Sequence, residues 1–193
     1  MQEQKKREAY RCLVIITDSH IREQLCEFLA DSHIPVYYQM HGIGTASSEW
    51  LELCGLGSIQ KSITLCFIPN GRKKILLAEM NQALSLHKKG TGIAVSIPMN
   101  GMQGFLYKLL NEHTAESDGE EVEKEVKKMS EPITHAMILV TINQGYSDAV
   151  MNTARAAGAT GGTILKGLRC SPGKSAVIFG ITIQEEQEIV AIV

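Results

Sequence analysis

Apolar and β-branched residues gather in short runs parted by polar or glycine-bearing stretches. Cys12-Leu13-Val14-Ile15-Ile16-Thr17 reads as a buried strand. Asp18 or Ser19 follows where a side chain can accept the free N–H groups of a helix's first turn, and Ile21, Leu25, Phe28 and Leu29 share one side of that helix. Pro35 ends it, and Val36-Tyr37-Tyr38-Gln39-Met40-His41 reads as a second strand. Residues 42–57 lose the pattern and read as a long loop. Residues 62–68 form a third strand, broken by Pro69-Asn70-Gly71. A second helix places Ile75, Leu76, Met80, Ala83 and Leu84 on one side, with Gly90 as its left-handed stop, and residues 92–99 give a fourth strand. The order is βαββαβ.

Phe105-Leu106-Tyr107-Lys108-Leu109-Leu110 reads as a short amphipathic helix, and residues 116–128 are dense in mixed charge. The pattern then restarts with a strand over residues 137–142. Asn143 takes the capping place of Asp18, and Tyr146, Val150 and Ala154 supply a helix face. A strand over 163–166 follows, then a strand pair within 176–193. A shift of 125 residues (138 against 13) registers the strands and helices of the two halves, with Gly42 falling on Gly167 and almost no other identity. The fold expected is α+β: a ferredoxin-like βαββαβ unit over 8–100, a linker with a charged helical segment over 101–132, and a second, incomplete ferredoxin-like βαββ unit over 133–193. Such a unit packs both helices on one sheet face. Its other face is apolar and needs a cover, which predicts an oligomer.

The chain carries 19 Lys+Arg against 21 Asp+Glu, which argues against binding to a nucleic-acid backbone. No apolar run reaches the ~20 residues of a membrane-spanning helix, and the polar N-terminus has no signal-peptide core. Cys12, Cys26, Cys54, Cys66 and Cys170 show no C-x-x-C spacing, so the expected location is a reducing cytoplasm.

Two phosphate-loop look-alikes fail on context. Gly158-Ala159-Thr160-Gly161-Gly162 closes a helix and opens a strand, the reverse of a dinucleotide-binding turn. Pro172-Gly173-Lys174-Ser175 leads into a strand, without the helix that a P-loop needs. No nucleophile–base set assembles, and the six histidines are scattered, so no catalysis is expected. Lys88-Lys89-Gly90-Thr91-Gly92 is the one anion-suited cluster, since glycines let backbone N–H groups form a nest and the lysines add charge. A helix stopped by glycine with a basic last turn explains the same residues.

The stretch Ile138-Leu139-Val140-Thr141-Ile142-Asn143-Gln144-Gly145-Tyr146-Ser147-Asp148-Ala149 resembles the opening of PII-type nitrogen regulatory proteins, as does the turn Ala157-Gly158-Ala159-Thr160-Gly161-Gly162-Thr163. Phe179-Gly180-Ile181-Thr182-Ile183-Gln184 looks like the strand after that family's T-loop. The first half is similar in outline, with His41-Gly42-Ile43-Gly44 at the loop base. The resemblance implies a cytoplasmic homo-oligomer, a trimer, that binds ATP or ADP between subunits and docks on a target protein without catalytic turnover. It matches Thr163 to an adenine contact, Gly42 and Gly44 to loop-base glycines, and Lys89, Gly90 and Gly92 to the B-loop that supports the phosphates. The chain departs from the family where Thr45-Ala46 replace a glutamine and where the B-loop reads Gly90-Thr91-Gly92-Ile93; the second loop is expected to be short.

The function expected is a non-catalytic, PII-like regulator sensing a nucleotide or other small anion, in nitrogen metabolism by resemblance. The alternative is a PII-fold oligomeric scaffold or metal-responsive module without nucleotide binding.

Overall fold

The computed structural model describes residues 9–44, 60–88, 91–114, 136–171, 177–178, 181–182 and 186–193. They form an α+β chain with antiparallel strand pairing. It divides into two compact units, Met1–Glu121 with Ser171–Gly173 and Val122–Cys170 with Lys174–Val193.

The first unit runs β1 (Tyr10–Asp18), a 3-10 turn (Ser19–Ile21), α1 (Arg22–Asp31), β2 (Tyr37–Ile43), β3 (Gln60–Pro69), α2 (Lys73–Leu84), β4 (Gly92–Pro98) and α3 (Gly104–Thr114). Its strands lie in the order β4-β1-β3-β2, each antiparallel to its neighbours. β1 is central because both of its faces are apolar, and Leu13 and Ile15 are wholly buried. One face carries the helices. Gln39 Nε2 reaches Cys26 Sγ of α1 at 3.2 Å, and Gln39 stands opposite Thr64, which stands opposite Ile15. Leu25 and Leu29 of α1 and Leu76, Met80 and Leu84 of α2 are buried, and the two helices touch.

The opposite face holds Val14, Ile16, Ile63, Ile93 and Val95, the last two 58% and 48% exposed. Its far end, at Tyr10, is covered by α3. Tyr10 Oη donates to Asn111 Oδ1 at 2.7 Å, and the Tyr10 and Tyr107 rings meet edge-on at 5.8 Å.

Several local expectations shift. Gly42 is inside β2, opposite Lys61, not in a loop. Ile75 and Ala83 are exposed, because only the i, i+4, i+8 row Leu76, Met80 and Leu84 faces the sheet. The left-handed stop of α2 is Ser85 (φ +53°), not Gly90, which lies outside the described residues. The charged stretch 116–128 and most of the 42–57 loop lie outside them too.

The second unit runs β5 (Ile138–Asn143), α4 (Ser147–Ala156), β6 (Gly162–Cys170), β7 (Val177–Ile178), β8 (Ile181–Thr182) and β9 (Glu186–Ile192). Its strands lie in the order β6-β9-β5, and its core gathers Met151, Val190 and Ile192 with Val140, Ile142, Val150, Ala154 and Ala159. Tyr146 precedes α4 and is 63% exposed, so it is no part of the helix face. Ile181-Thr182 pairs with Val177-Ile178 in a separate hairpin, so the strand that completes the sheet is β9. The connection from β6 to β9 spans 171–185, close to the 44–59 that joins β2 to β3, so the second loop is not short.

The two units repeat one plan. Helix α4 is offset from α1 by 125 residues at both ends (147 against 22, 156 against 31). Both helices end in the same cap. Ile34 N donates to Leu29 O and His33 N to Ala30 O, while Ala159 N donates to Ala154 O and Gly158 N to Arg155 O, at 2.9–3.0 Å. The left-handed residue is His33 (φ +56°) in one and Gly158 (φ +102°) in the other. Register repeats as well. Leu13 and Tyr37 both stand opposite Cys66, and Ile138 and Gly162, each 125 residues on, both stand opposite Ile192. The third strands are therefore offset by 126 (192 against 66).

Candidate functional site

The end of the first sheet where β1 gives way to α1 assembles the polar residues. Two neighbouring rows cross it. On the helix-bearing face Gly92, Thr17, Ser62 and His41 stand side by side, and on the other face Asp18, Lys61 and Gly42 do. Gly42 and Gly92 thus reach one end of one sheet, with Gly44 just beyond β2. Gly92 (φ +155°) lets β4 pass close to β1: a Cβ there would lie 2.5 Å from the Ile16 carbonyl oxygen. Thr163 lies in the second unit, exposed on β6 opposite Ala191. Lys89 and Gly90 lie outside the described residues. The Thr91 hydroxyl is committed to its own turn, 3.0 and 2.9 Å from the carbonyl oxygens of Ser85 and Lys88.

Asp18 does not cap α1. Its carboxylate is taken by Lys61 Nζ across the strand pair, with side chains 6% and 16% exposed, and His20 Nδ1 lies 3.9 Å from its second oxygen. Asn143 does not cap α4 either, because its Oδ1 accepts from Gln187 Nε2 at 2.8 Å. Both side chains reach across the sheet instead of along the chain. The buried Asp18 carboxylate thereby has its partner across the sheet.

Beside this pair a cleft of about 380 Å³ is lined by Ser19, His20, Arg22, Glu23, His41 and Ser62. Ser62 is 1% exposed and its hydroxyl has no hydrogen-bond partner, nor has that of Thr17, which it faces, or of Thr64 two residues along β3. An unsatisfied buried hydroxyl costs about 1–3 kcal/mol, so this corner is chemically unfinished. A second hollow, of about 720 Å³, lies between the start of β1 and α3, where Tyr10 already engages Asn111.

Among the described residues no three His, Cys, Asp or Glu side chains gather to hold a metal ion, and no helix is long and apolar enough to cross a membrane. Cys12, Cys26, Cys66 and Cys170 are free thiols. Burial pushes Cys12 up to about 11, and burial, then the neighbouring Cys12, pushes Cys66 higher still. Neither thiol is a nucleophile at neutral pH.

The sequence pointed to the glycines and missed Ser62, Arg22 and the Asp18–Lys61 pair. The equivalence of Lys61-Ser62 with Gln187-Glu188, at an offset of 126, shows only in the strand register.

Neither a family model nor a curated protein sequence matches the chain. A solved structure, of a Bacillus cereus protein related to NIF3, is similar at a TM-score of 0.36 and 13% identity, over 49% of this chain and 26% of that one. The chain spans about a quarter of that neighbour's length.

Proposed function

We propose that this chain is a non-catalytic, PII-like regulator that senses a small anionic effector, of the ATP or ADP class, and acts through contacts with a target protein. The observation that carries this reading is the placement of Gly42, with Gly44 just beyond it, on β2 and of Gly92 on β4, at the same end of the first sheet with β1 and β3 between them. Backbone close to glycine can approach a phosphate, and its N–H groups can serve as donors. The order β4-β1-β3-β2, with α1 and α2 on one face, supports reading the first unit as ferredoxin-like. The exposed apolar side chains of Ile93 and Val95 support a homo-oligomer, a trimer by resemblance, that covers the helix-free face. The free thiols of Cys12, Cys26, Cys66 and Cys170 suit a reducing cytoplasm. Nitrogen metabolism enters by resemblance alone.

Thermal unfolding of the full chain with and without ATP or ADP tests the proposal. A ligand at 100 times its Kd adds about 2.7 kcal/mol of stability. A rise in Tm that saturates with nucleotide supports it, and an unchanged Tm at millimolar nucleotide removes it.

A second reading is an oligomeric scaffold without nucleotide binding. It is favoured by Ile93, 58% exposed at the end of the B-loop stretch where the chain departs from the family, and by the Thr91 hydroxyl turned into its own backbone. An unchanged Tm together with a stable oligomer in sedimentation would select it.

A further inference from the structure

The repeat supplies an internal reference for the unfinished corner of the first unit. The row Thr17, Ser62, His41 on β1, β3 and β2 corresponds, through the offsets of 125 and 126, to Ile142, Glu188, Lys166 on β5, β9 and β6. Glu188 is 4% exposed, and its Oε2 accepts from the backbone N–H of Gly145 at 3.2 Å, in the turn that leads into α4. A carboxylate is therefore built into the second unit beneath the start of its helix. In the first unit the same position holds Ser62, two heavy atoms shorter than a carboxyl can reach. Its hydroxyl has no partner, and the cleft of about 380 Å³ opens beside it.

The cationic side remains. His41 replaces Lys166 in the row, and Arg22 and His20 stand on the rim, while Lys61 is held by Asp18 and Glu23 is the one acid among the described lining residues. The turn itself differs: Ser19–Ile21 is a 3-10 turn, whereas Gly145 has φ +93°.

We infer that the cleft at the β1–α1 turn is a binding site for a small carboxylate ligand, standing where the Glu188 side chain stands in the second unit. The ligand's oxygens accept a hydrogen bond from the Ser62 hydroxyl and pair with the Arg22 guanidinium, and the start of α1 adds its positive dipole end. The inference does not rest on nucleotide binding, since the cleft lies on the helix-bearing face and its residues are not the glycines invoked above.

The test is thermal unfolding of the full chain titrated with sodium acetate and sodium succinate, against sodium chloride at equal ionic strength. A saturable rise in Tm specific to the carboxylates is expected, with affinity about tenfold weaker in Arg22→Gln. Ser62→Glu supplies the carboxylate from within and is expected to abolish the response while circular dichroism stays native. A rise matched by chloride, no rise, or an undiminished response in folded Ser62→Glu overturns the inference. If Ser62→Glu does not fold, Arg22→Gln and His41→Ala decide, and unchanged affinity in both overturns it. No nucleotide is present, so the outcome is separate from that of the ATP experiment.

Discussion

Asp18 and Lys61 face each other across β1 and β3 as a largely buried ion pair, and the second unit replaces that pair with its neutral counterpart. Asn143 and Gln187 occupy the equivalent register and share a hydrogen bond of 2.8 Å. One plan thus closes the same end of the sheet twice, once with charge and once without.

Breaking a buried pair on one side leaves the other charge unpaired, which costs more than replacing both. Lys61→Met is expected to lose about 2 kcal/mol, below the usual cost for a fully enclosed pair because Lys61 keeps some exposure. The double substitution Asp18→Asn/Lys61→Gln, which copies the second unit, is expected to lose less than the two single changes summed, by about 1 kcal/mol. Urea denaturation of the four proteins checks this, and strict additivity contradicts it.

Much of the strand and helix order was legible in the sequence because burial imposes local periodicity. Leu13 and Ile15 mark a central strand, and Leu25 and Leu29 mark a helix face, without knowledge of any partner. The caps were not legible in the same way. Asp18 has the composition of a helix cap, yet its partner Lys61 lies 43 residues away, and only the sheet register brings them together. The stop at Ser85 was hidden for a related reason. Left-handed backbone favours glycine, and Gly90 drew attention from a serine whose carbonyl accepts from Lys88 N and the Thr91 hydroxyl in the turn that follows. Of the candidate site, the glycines showed in the sequence. Ser62 did not, because a hydroxyl inside an apolar strand has no local signature.

His33 is a β-carbon-bearing residue in the left-handed position that Gly158 fills in the repeat. Left-handed backbone costs roughly 1–2 kcal/mol for such residues, partly offset because glycine has more freedom to lose on folding. His33→Gly is therefore expected to raise stability by about 0.5–1 kcal/mol. Gly158→His is expected to lower it by a similar amount. Chemical denaturation measures both, and a destabilised His33→Gly would contradict the shared cap.

Gly92 has no such latitude. An added methyl would press on the Ile16 carbonyl oxygen, a backbone atom that cannot rotate away, so Gly92→Ala is expected to cost about 2–3 kcal/mol and to loosen β4 from β1. Gly42 differs, because its added methyl would meet the end of the Ile63 side chain, which can turn aside. Hydrogen exchange of the Ile93–Ile97 amides reads the difference. Equal protection in Gly92→Ala and wild type would count against the close passage.

The buried thiols set an alkaline limit to stability. Burial pushes Cys12 up to about 11 in the folded protein against 9.0 ordinarily. Its folded value is raised, so the stabilisation is complete below pH 9 and is lost as pH climbs from 9 toward 11, because the unfolded chain releases its proton first. The expected loss is of order 2 kcal/mol across that window, reduced in Cys12→Ala. Denaturation midpoints between pH 8 and 11 check it, and a flat profile would contradict the burial.

Isothermal titration of the full chain with ATP tests the sensing role most directly. The account predicts saturable binding, weakened by Lys89→Ala and by Gly92→Ala in a protein that remains folded. No heat of binding up to millimolar ATP, or binding indifferent to both substitutions, would contradict it.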